Sequence, residues 1–176
     1  MNLKIYTPKV MLVAGIILFA AIMRLIPHYP NFTPIAAIAL FGGAHLGKKW
    51  LSFLIPIVAL FISDLILGFH GFMIPVYASF IVVVLFGNYL RNNIKVHTVG
   101  VASIAASTLF FIITNFAVWI ATPYYPANFS GLVACYAAAI PFFHTGILGD
   151  LFYSTVFFGG FYLVQQYVTV FKTKEI

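Results

Sequence analysis

Three charged residues stand inside otherwise apolar stretches of this chain: Arg24, Asp64 and Asp150. The chain has 176 residues, of which 63% are hydrophobic and only 7% are charged. So few charges cannot cover a water-facing surface, and lipid must therefore be the solvent of this protein. A charge inside a membrane costs several kcal/mol unless it is paired, so it marks a functional site by default. We expect Arg24 to have a carboxylate partner, either Asp64 or Asp150.

Polar and aromatic side chains are predicted to gather around these charges on one side of the membrane. Asn115 and Trp119 lie one helical turn apart on one face. In the predicted pocket, Arg24 binds an anionic or carbonyl group, and Trp119 and Tyr125 stack on the ligand. The alternative is that Arg24 pairs with an aspartate only to lock helices together. The residues predicted to form this outward-facing substrate-binding pocket are Arg24, His28, Asn31, Asp64, His70, Tyr77, Asn115, Trp119, Tyr125, His144 and Asp150.

Two helix starts are predicted on the same side. Thr33 is a candidate N-cap ahead of Pro34, and Ser130 is a candidate N-cap further along the chain. The dipoles of these helices favour an anionic ligand group at their N-termini. Ordinary capping needs no ligand, however, and it is the simpler explanation of these two residues.

Small residues repeat at every fourth position in the second apolar segment: Ala39, Gly43 and Gly47. Such a spacing leaves one face of a helix smooth, so that another helix can approach closely. This face is either packed inside the protein or a docking surface for a partner protein.

The sequence lacks the common motifs for nucleotide binding, metal binding and serine hydrolysis. The chain has no GxxxxGK[ST] or GxGxxG nucleotide-binding motif, no metal-binding spacing of His, Cys, Asp and Glu, and no GxSxG elbow. A lone cysteine, Cys135, excludes an intramolecular disulfide. We therefore predict no catalytic residue, no metal site and no cofactor, and we do not expect an enzyme.

Six predicted spans position these residues in an all-α bundle that forms one domain over residues 1–176. Another apolar stretch, 132–140, is too short for a span of about 20 residues and ends at Pro141. We predict that it is an outer half-helix packed against protein, because irregular backbone at membrane depth needs such cover. The predicted spans are 10–26, 34–47, 51–67, 74–90, 99–121 and 142–171.

The basic residues indicate the orientation of the bundle. The net charge of +6 comes from short clusters between apolar segments, which is typical of membrane topology and not of nucleic-acid binding. The connections 27–33, 68–73 and 122–131 contain no lysine or arginine. The positive-inside rule therefore predicts that both termini are cytoplasmic. Eight of the nine basic residues flank the alternate connections: Lys4, Lys9, Lys48, Lys49, Arg91, Lys95, Lys172 and Lys174.

Several motifs resemble those of an uncharacterised family of small bacterial membrane proteins: RLIPHYPNFTP at 24–34, ALFGG at 39–43, SDLILGFH at 63–70, TNFAVW at 114–119 and GD at 149–150. More loosely, residues 40–68 are similar to the second and third helices of S-components. These are the substrate-binding subunits of energy-coupling-factor vitamin transporters. The resemblance implies an S-component-like bundle of six helices, an outward-facing small-molecule pocket, and an energising membrane subunit with an ATPase.

The first span departs from the S-component pattern. S-components usually carry an Ala-x-x-x-Ala face there for docking, and Ala14, Ala20 and Ala21 do not have that spacing. This departure favours a transporter that works alone, as is known for some cobalamin uptake proteins.

We therefore expect a substrate-binding protein of the bacterial cytoplasmic membrane that serves the uptake of a small molecule. A vitamin or related micronutrient, such as a cobalamin-like compound, is the expected ligand. Two other classes stay open: a proton- or ion-coupled carrier in which Asp64 and Asp150 exchange protons, and a structural or assembly subunit of a membrane complex. The expected partners are the ligand, the lipid bilayer and the energising subunit, and they do not include nucleic acid.

Overall fold

The fold consists of helices joined by short connections. A computed structural model describes residues 8–26, 29–46 and 49–168 of the chain. Within these residues the chain forms six helices and no strand, which confirms the predicted all-α class. The helices are α1 (Pro8–Met23), α2 (Ile35–His45), α3 (Lys49–Leu67), α4 (Met73–Leu90), α5 (Val96–Ala121) and α6 (Phe129–Tyr167).

Four of the helices, α3 to α6, are long and apolar enough to cross a membrane. The surface of the bundle suits lipid, because large apolar side chains such as Leu65, Val101, Ile120 and Leu148 expose more than half of their area. Both features identify a membrane protein. Helices α1 and α2 are apolar but shorter, with 16 and 11 residues.

The long helix α6 corrects one prediction. Residues 132–140 do not form a separate half-helix, because α6 runs without interruption for 39 residues with Pro141 inside it. Proline removes one backbone hydrogen bond, but membrane helices tolerate it where neighbouring groups satisfy the freed carbonyl. At 1.5 Å per residue, α6 is about 58 Å long, roughly twice the thickness of the hydrocarbon core.

Helix α2 is the short helix at the centre of the bundle. Its 11 residues rise about 16 Å, roughly half of the hydrocarbon core. Every residue from Ala36 to Ala44 is buried, since α2 packs against all five of the other helices. A helix that is apolar on all sides suits such a position.

The small residues of α2 meet α4, which decides between the two roles considered for them. Ala39 is fully buried. A Cβ atom on Gly43 would lie 2.3 Å from the Val84 carbonyl oxygen and 2.9 Å from the Gly87 Cα atom. These two residues therefore pack inside the protein and are not a partner-docking surface, because α4 already occupies the smooth face. Gly47, the third residue of the predicted surface, lies outside the described residues.

Irregular backbone leads into α2. Asn31 adopts a positive φ of 61°, which asparagine tolerates better than most residues. The Phe32 ring lies 5.6 Å from the Phe152 ring and 5.7 Å from the Tyr153 ring, measured between centroids. Gly149 permits this approach, because a Cβ atom there would lie 3.1 Å from the Phe32 Cα atom. Phe32 and Thr33 are thus packed on α6, as irregular backbone inside a membrane protein requires.

The other end of α2 is held by Arg91. Its guanidinium donates hydrogen bonds to the carbonyl oxygens of Gly43 (3.3 Å) and Leu46 (2.7 Å) and to the Asn88 side chain (3.0 Å). The last carbonyls of a helix lack partners within the helix, and a cation there also complements the helix dipole. Arg91 therefore stabilises the C-terminus of the buried helix.

Candidate functional site

A cavity of about 250 Å³ opens between α2, α5, α6 and the segment that precedes α2. One part of its wall is polar and the other is mostly aromatic. The polar residues are Asn31, Thr33, Ser107, Thr114, Asn115 and Asp150. The aromatic residues are Phe110, Phe111, Phe142 and Phe143.

Asp150 is the buried acid of the cavity wall, with only 7% of its surface exposed. Its Oδ2 atom accepts a hydrogen bond of 2.6 Å from Ser107 Oγ. The backbone amides of Ala36 and Ala37, in the first turn of α2, are further donors to this carboxylate. Burial opposes a negative charge here, whereas three donors and the positive end of the α2 dipole favour it. Asp150 thus occupies the N-terminus of α2.

The cavity reaches roughly the middle of the bundle. Ser107, which binds Asp150, is near the midpoint of the 26-residue helix α5. Helix α2 begins at the same depth, because the amides of its first turn donate to Asp150, which also accepts from Ser107. The cavity is therefore built at the start of a half-length helix.

A chain of hydroxyl groups continues from Asp150 between α5 and α6. Ser107 Oγ also lies 3.1 Å from the Ser103 carbonyl oxygen. Ser103 Oγ lies 2.8 Å from Ser154 Oγ and 2.9 Å from the Val99 carbonyl oxygen. All three serines are buried, so each hydroxyl finds its partner within the helix pair.

The aromatic part of the wall is held together by ring contacts. The Phe111 and Phe143 rings pack at 4.5 Å, and Phe111 also meets Tyr136 at 5.5 Å with an edge-on geometry. The Tyr136 hydroxyl donates to the Ile112 carbonyl oxygen at 2.7 Å, which ties α6 to α5. The aromatic wall is therefore fixed from both helices.

Arg24 and Asp64 form a separate cluster outside the cavity wall. Arg24 Nη2 lies 3.0 Å from Asp64 Oδ1, and its Nη1 atom donates to Ser63. Tyr77 donates to Asp64 Oδ2 at 2.8 Å. The prediction of a carboxylate partner for Arg24 is confirmed. Arg24, Asp64 and Tyr77 do not line the cavity with Asp150, because they satisfy one another between α1, α3 and α4.

Of the other residues predicted to form the pocket, some line the cavity and others lie outside its wall. Asn31 and Asn115, both predicted to bind substrate, line the cavity. Trp119 does not line it, since its Nε1 atom donates to the Pro126 carbonyl oxygen at 3.0 Å and holds the α5–α6 connection. Tyr125 lies in that connection, also outside the cavity wall.

Two of the three predicted histidines do not build the cavity either. His70 and His144 are exposed and are absent from its wall, and His28 lies outside the described residues. Within the residues that the structure describes, no group of three or more His, Cys, Asp and Glu side chains converges to hold a metal ion.

Neither predicted N-cap caps its helix. Pro34 holds the N-cap position of α2, and Thr33 makes no capping hydrogen bond there. At the start of α6 the cap is Asn128, whose side chain accepts from the Gly131 amide at 2.9 Å. Ser130 instead donates to Asn128 at 2.8 Å.

Sequence reasoning missed the hydroxyl residues and phenylalanines of the cavity. A signal for them exists in their spacing. Ser103, Ser107 and Thr114 are four and seven residues apart and thus share one face of α5 with Asn115. On α6, Phe143, Gly146, Asp150 and Ser154 have the spacing of three and four that also marks one helix face.

Comparison with known proteins leads to a family. No curated protein and no solved structure matches the chain. One family model matches residues 4–171, which is nearly the whole chain. The chain therefore belongs to a family of unknown function, DUF6580.

Proposed function

We propose that this protein binds a small molecule in the cavity beside Asp150 and serves its uptake across the membrane. The observation that carries the proposal is a half-length helix, α2, that begins inside the bundle next to a cavity with polar groups. Discontinuous helices with their ends at midplane binding sites are a recurring feature of membrane transporters. A purely structural subunit has no need for this arrangement.

The make-up of the wall supports a binding role. Ligand sites in proteins are mostly apolar, with a few polar groups that fix the orientation of the ligand. Here the four phenylalanines supply apolar contact, and Asn115, Thr114 and Asp150 supply the polar groups. Asp150, which contacts the Ser107 hydroxyl, is itself held by the amides of Ala36 and Ala37, and no histidine or lysine is among the described lining residues to serve as a base. We therefore propose binding and not catalysis.

The size of the cavity narrows the ligand class. At about 250 Å³ it lies slightly below the usual range of about 300–1,000 Å³ for ligand pockets. A corrin ring with its side chains is much larger than this space. We therefore propose a compact micronutrient or metabolite in place of a cobalamin-like compound.

The resemblance to S-components supports an energising membrane subunit with an ATPase as a partner. Its docking surface has to be a different one from the small-residue face of α2, which α4 covers. The bacterial cytoplasmic membrane remains the proposed location.

The orientation of the bundle can be tested by labelling. The basic residues favour cytoplasmic termini, which places the α5–α6 connection outside. We expect Ala127→Cys, in that exposed connection, to react with a membrane-impermeant maleimide in intact cells. The matched variant Asn93→Cys, in the exposed α4–α5 connection, should react only after the cells are opened. Because Cys135 is 2% exposed, the parent protein should give little background. The reverse labelling pattern would mean that the bundle is inverted.

A cavity-filling variant tests the proposed binding role. Ala139 lines the cavity, whereas Ala138 is exposed on the same helix. We expect mass spectrometry to detect a small molecule that co-purifies with the parent protein and with Ala138→Phe. It should be absent from Ala139→Phe, because the added ring occupies the ligand volume. If all three proteins carry the same compound in equal amounts, the ligand binds elsewhere and this cavity is not its site.

A further inference from the structure

We infer that the cavity selects a ligand with a positive charge, namely a small organic cation with an ammonium group. The inference rests on the proposed binding function and adds the chemical class of the ligand. It reverses the expectation from the sequence, in which Arg24 and two helix N-termini favoured an anionic group. The reasons are the charges that line the cavity and the partners that the protein itself supplies to them.

Asp150 is the single ionisable residue in the described wall of the cavity. Its other polar lining residues are asparagines, threonines and a serine, and no lysine, arginine or histidine is among the lining residues that the structure describes. A ligand that enters this space meets a carboxylate and neutral dipoles. An anionic ligand would have to approach that carboxylate in a medium of low polarity without any basic side chain to offset the repulsion.

The two intramembrane aspartates differ in their partners. Asp64 has a guanidinium 3.0 Å away, so that pair is neutral as a unit. Asp150 has hydrogen-bond donors from Ser107, Ala36 and Ala37, and no basic side chain among the described residues lies at ion-pair distance. The protein thus supplies a cation to one buried acid and leaves the other, which lines the cavity, without one. A cationic ligand would complete the second pair.

The groups that could have attracted an anion are already engaged. The first-turn amides of α2 act on Asp150, and Arg24 is held by Asp64 and Ser63. The N-terminus of α6 is capped by Asn128. Helix N-termini and guanidinium groups attract anions only when they are free to do so. The protein's own groups therefore satisfy all three predicted sources of anion binding.

The aromatic wall suits a cation as well. Phe111 and Phe143 pack together on the side contributed by α5 and α6, and Phe110 and Phe142 also line the cavity. The face of an aromatic ring carries negative potential and attracts an ammonium group, most strongly where water is excluded. A carboxylate together with several aromatic faces matches an organic cation better than it matches a neutral sugar or an anion.

The competing interpretation is that Asp150 only caps α2, because its hydrogen bonds already stabilise that helix. If Asp150 only caps α2, the protein has no preference for a positively charged ligand. If Asp150 selects the ligand, a cation binds more tightly than a neutral or anionic compound of the same shape. Three probes of nearly identical shape separate them: choline, its neutral carbon isostere neopentyl carbinol, and the tert-butylacetate anion. Binding of each probe to the full-length protein is measured by titration calorimetry in an uncharged maltoside detergent. This comparison uses the unmodified protein, so it does not depend on whether a variant folds.

We expect choline to bind about tenfold more tightly than the neutral isostere, or better, and the anion to bind most weakly. In Asp150→Asn, choline and the neutral isostere should bind with similar affinity. Thr155→Val, an exposed position of the same helix, should keep the preference of the parent protein. Retained preference in Asp150→Asn would show that the carboxylate does not select the charge and would overturn the inference.

Two outcomes separate failure of this inference from failure of the proposed function. If choline and the neutral isostere bind equally to the parent protein, and Ala139→Phe abolishes both, the cavity binds small molecules without selecting a cation. The charge inference is then wrong and the proposed function stands. If no probe binds and Ala139→Phe still carries the co-purified compound, both the charge inference and the assigned cavity are wrong.

Discussion

Replacing Arg24 with methionine is expected to destabilise the folded protein by about 3–5 kcal/mol, because the substitution leaves Asp64 buried without a counter-charge. Asp64 is 1% exposed, and its remaining described partner is the Tyr77 hydroxyl at 2.8 Å. One neutral donor offsets only part of the cost of a buried carboxylate. Equilibrium unfolding in mixed micelles measures the effect as a lowered free energy of unfolding.

Matched variants separate the lost charge pair from lost packing. The double variant Arg24→Met with Asp64→Leu removes both charges and should regain most of the lost stability, since a buried pair can often be replaced by apolar residues. Ser63→Ala removes a hydroxyl of the same cluster and keeps both charges, and it should cost about 1 kcal/mol. A double variant as unstable as Arg24→Met alone would contradict the charge-pair explanation.

Gly43→Ala is expected to lower the free energy of unfolding by about 1–3 kcal/mol, the usual cost of overpacking. The new methyl group would lie 2.3 Å from the Val84 carbonyl oxygen, 2.9 Å from the Gly87 Cα atom and 3.0 Å from the Asn88 nitrogen. All three atoms belong to the backbone of α4, so no side chain can rotate away. The two helices must therefore separate, and the effect should fall at the upper end of the range.

The control for this substitution is Gly159→Ala, where a Cβ atom would meet nothing within 4 Å. Alanine favours a helix over glycine by roughly 0.5–1 kcal/mol, so this variant should be as stable as the parent protein or slightly more stable. Gly87→Ala should resemble Gly43→Ala, because its Cβ atom would lie 2.3 Å from the Leu40 carbonyl oxygen. Equal stability of the Gly43 and Gly159 variants would mean that α2 and α4 do not cross as closely as described.

Much of the fold follows from composition and hydropathy. Long apolar runs with few charges predicted helices, since a backbone in lipid has to satisfy its hydrogen bonds within the segment. The predicted spans 51–67 and 74–90 differ from α3 and α4 by no more than two residues at either end. The pairing of Arg24 was predictable for a similar reason, because the cost of an unpaired buried charge does not depend on the details of the fold.

The location of the short helix was not predictable in the same way. Pro141 indicated a break and suggested a half-helix over 132–140, yet α6 is continuous there and α2 is the half-length helix. Proline is a strong helix breaker in water, but inside a bundle the neighbouring helices can satisfy the carbonyl that it frees. The end of a membrane helix therefore depends on its neighbours as well as on its own residues.

The cavity depends on tertiary structure most of all. Spacing along one helix determines which of its residues share a face, and so Ser107 with Asn115, and Phe143 with Asp150, could be grouped from the chain alone. Which faces meet depends on packing between helices that are far apart in sequence. Packing placed Asp64 beside Arg24 and put Asp150 at the N-terminus of α2. The residue types were thus sufficient to identify the three intramembrane charges, whereas the division into a neutral pair and an acidic cavity arose from close contact between distant segments.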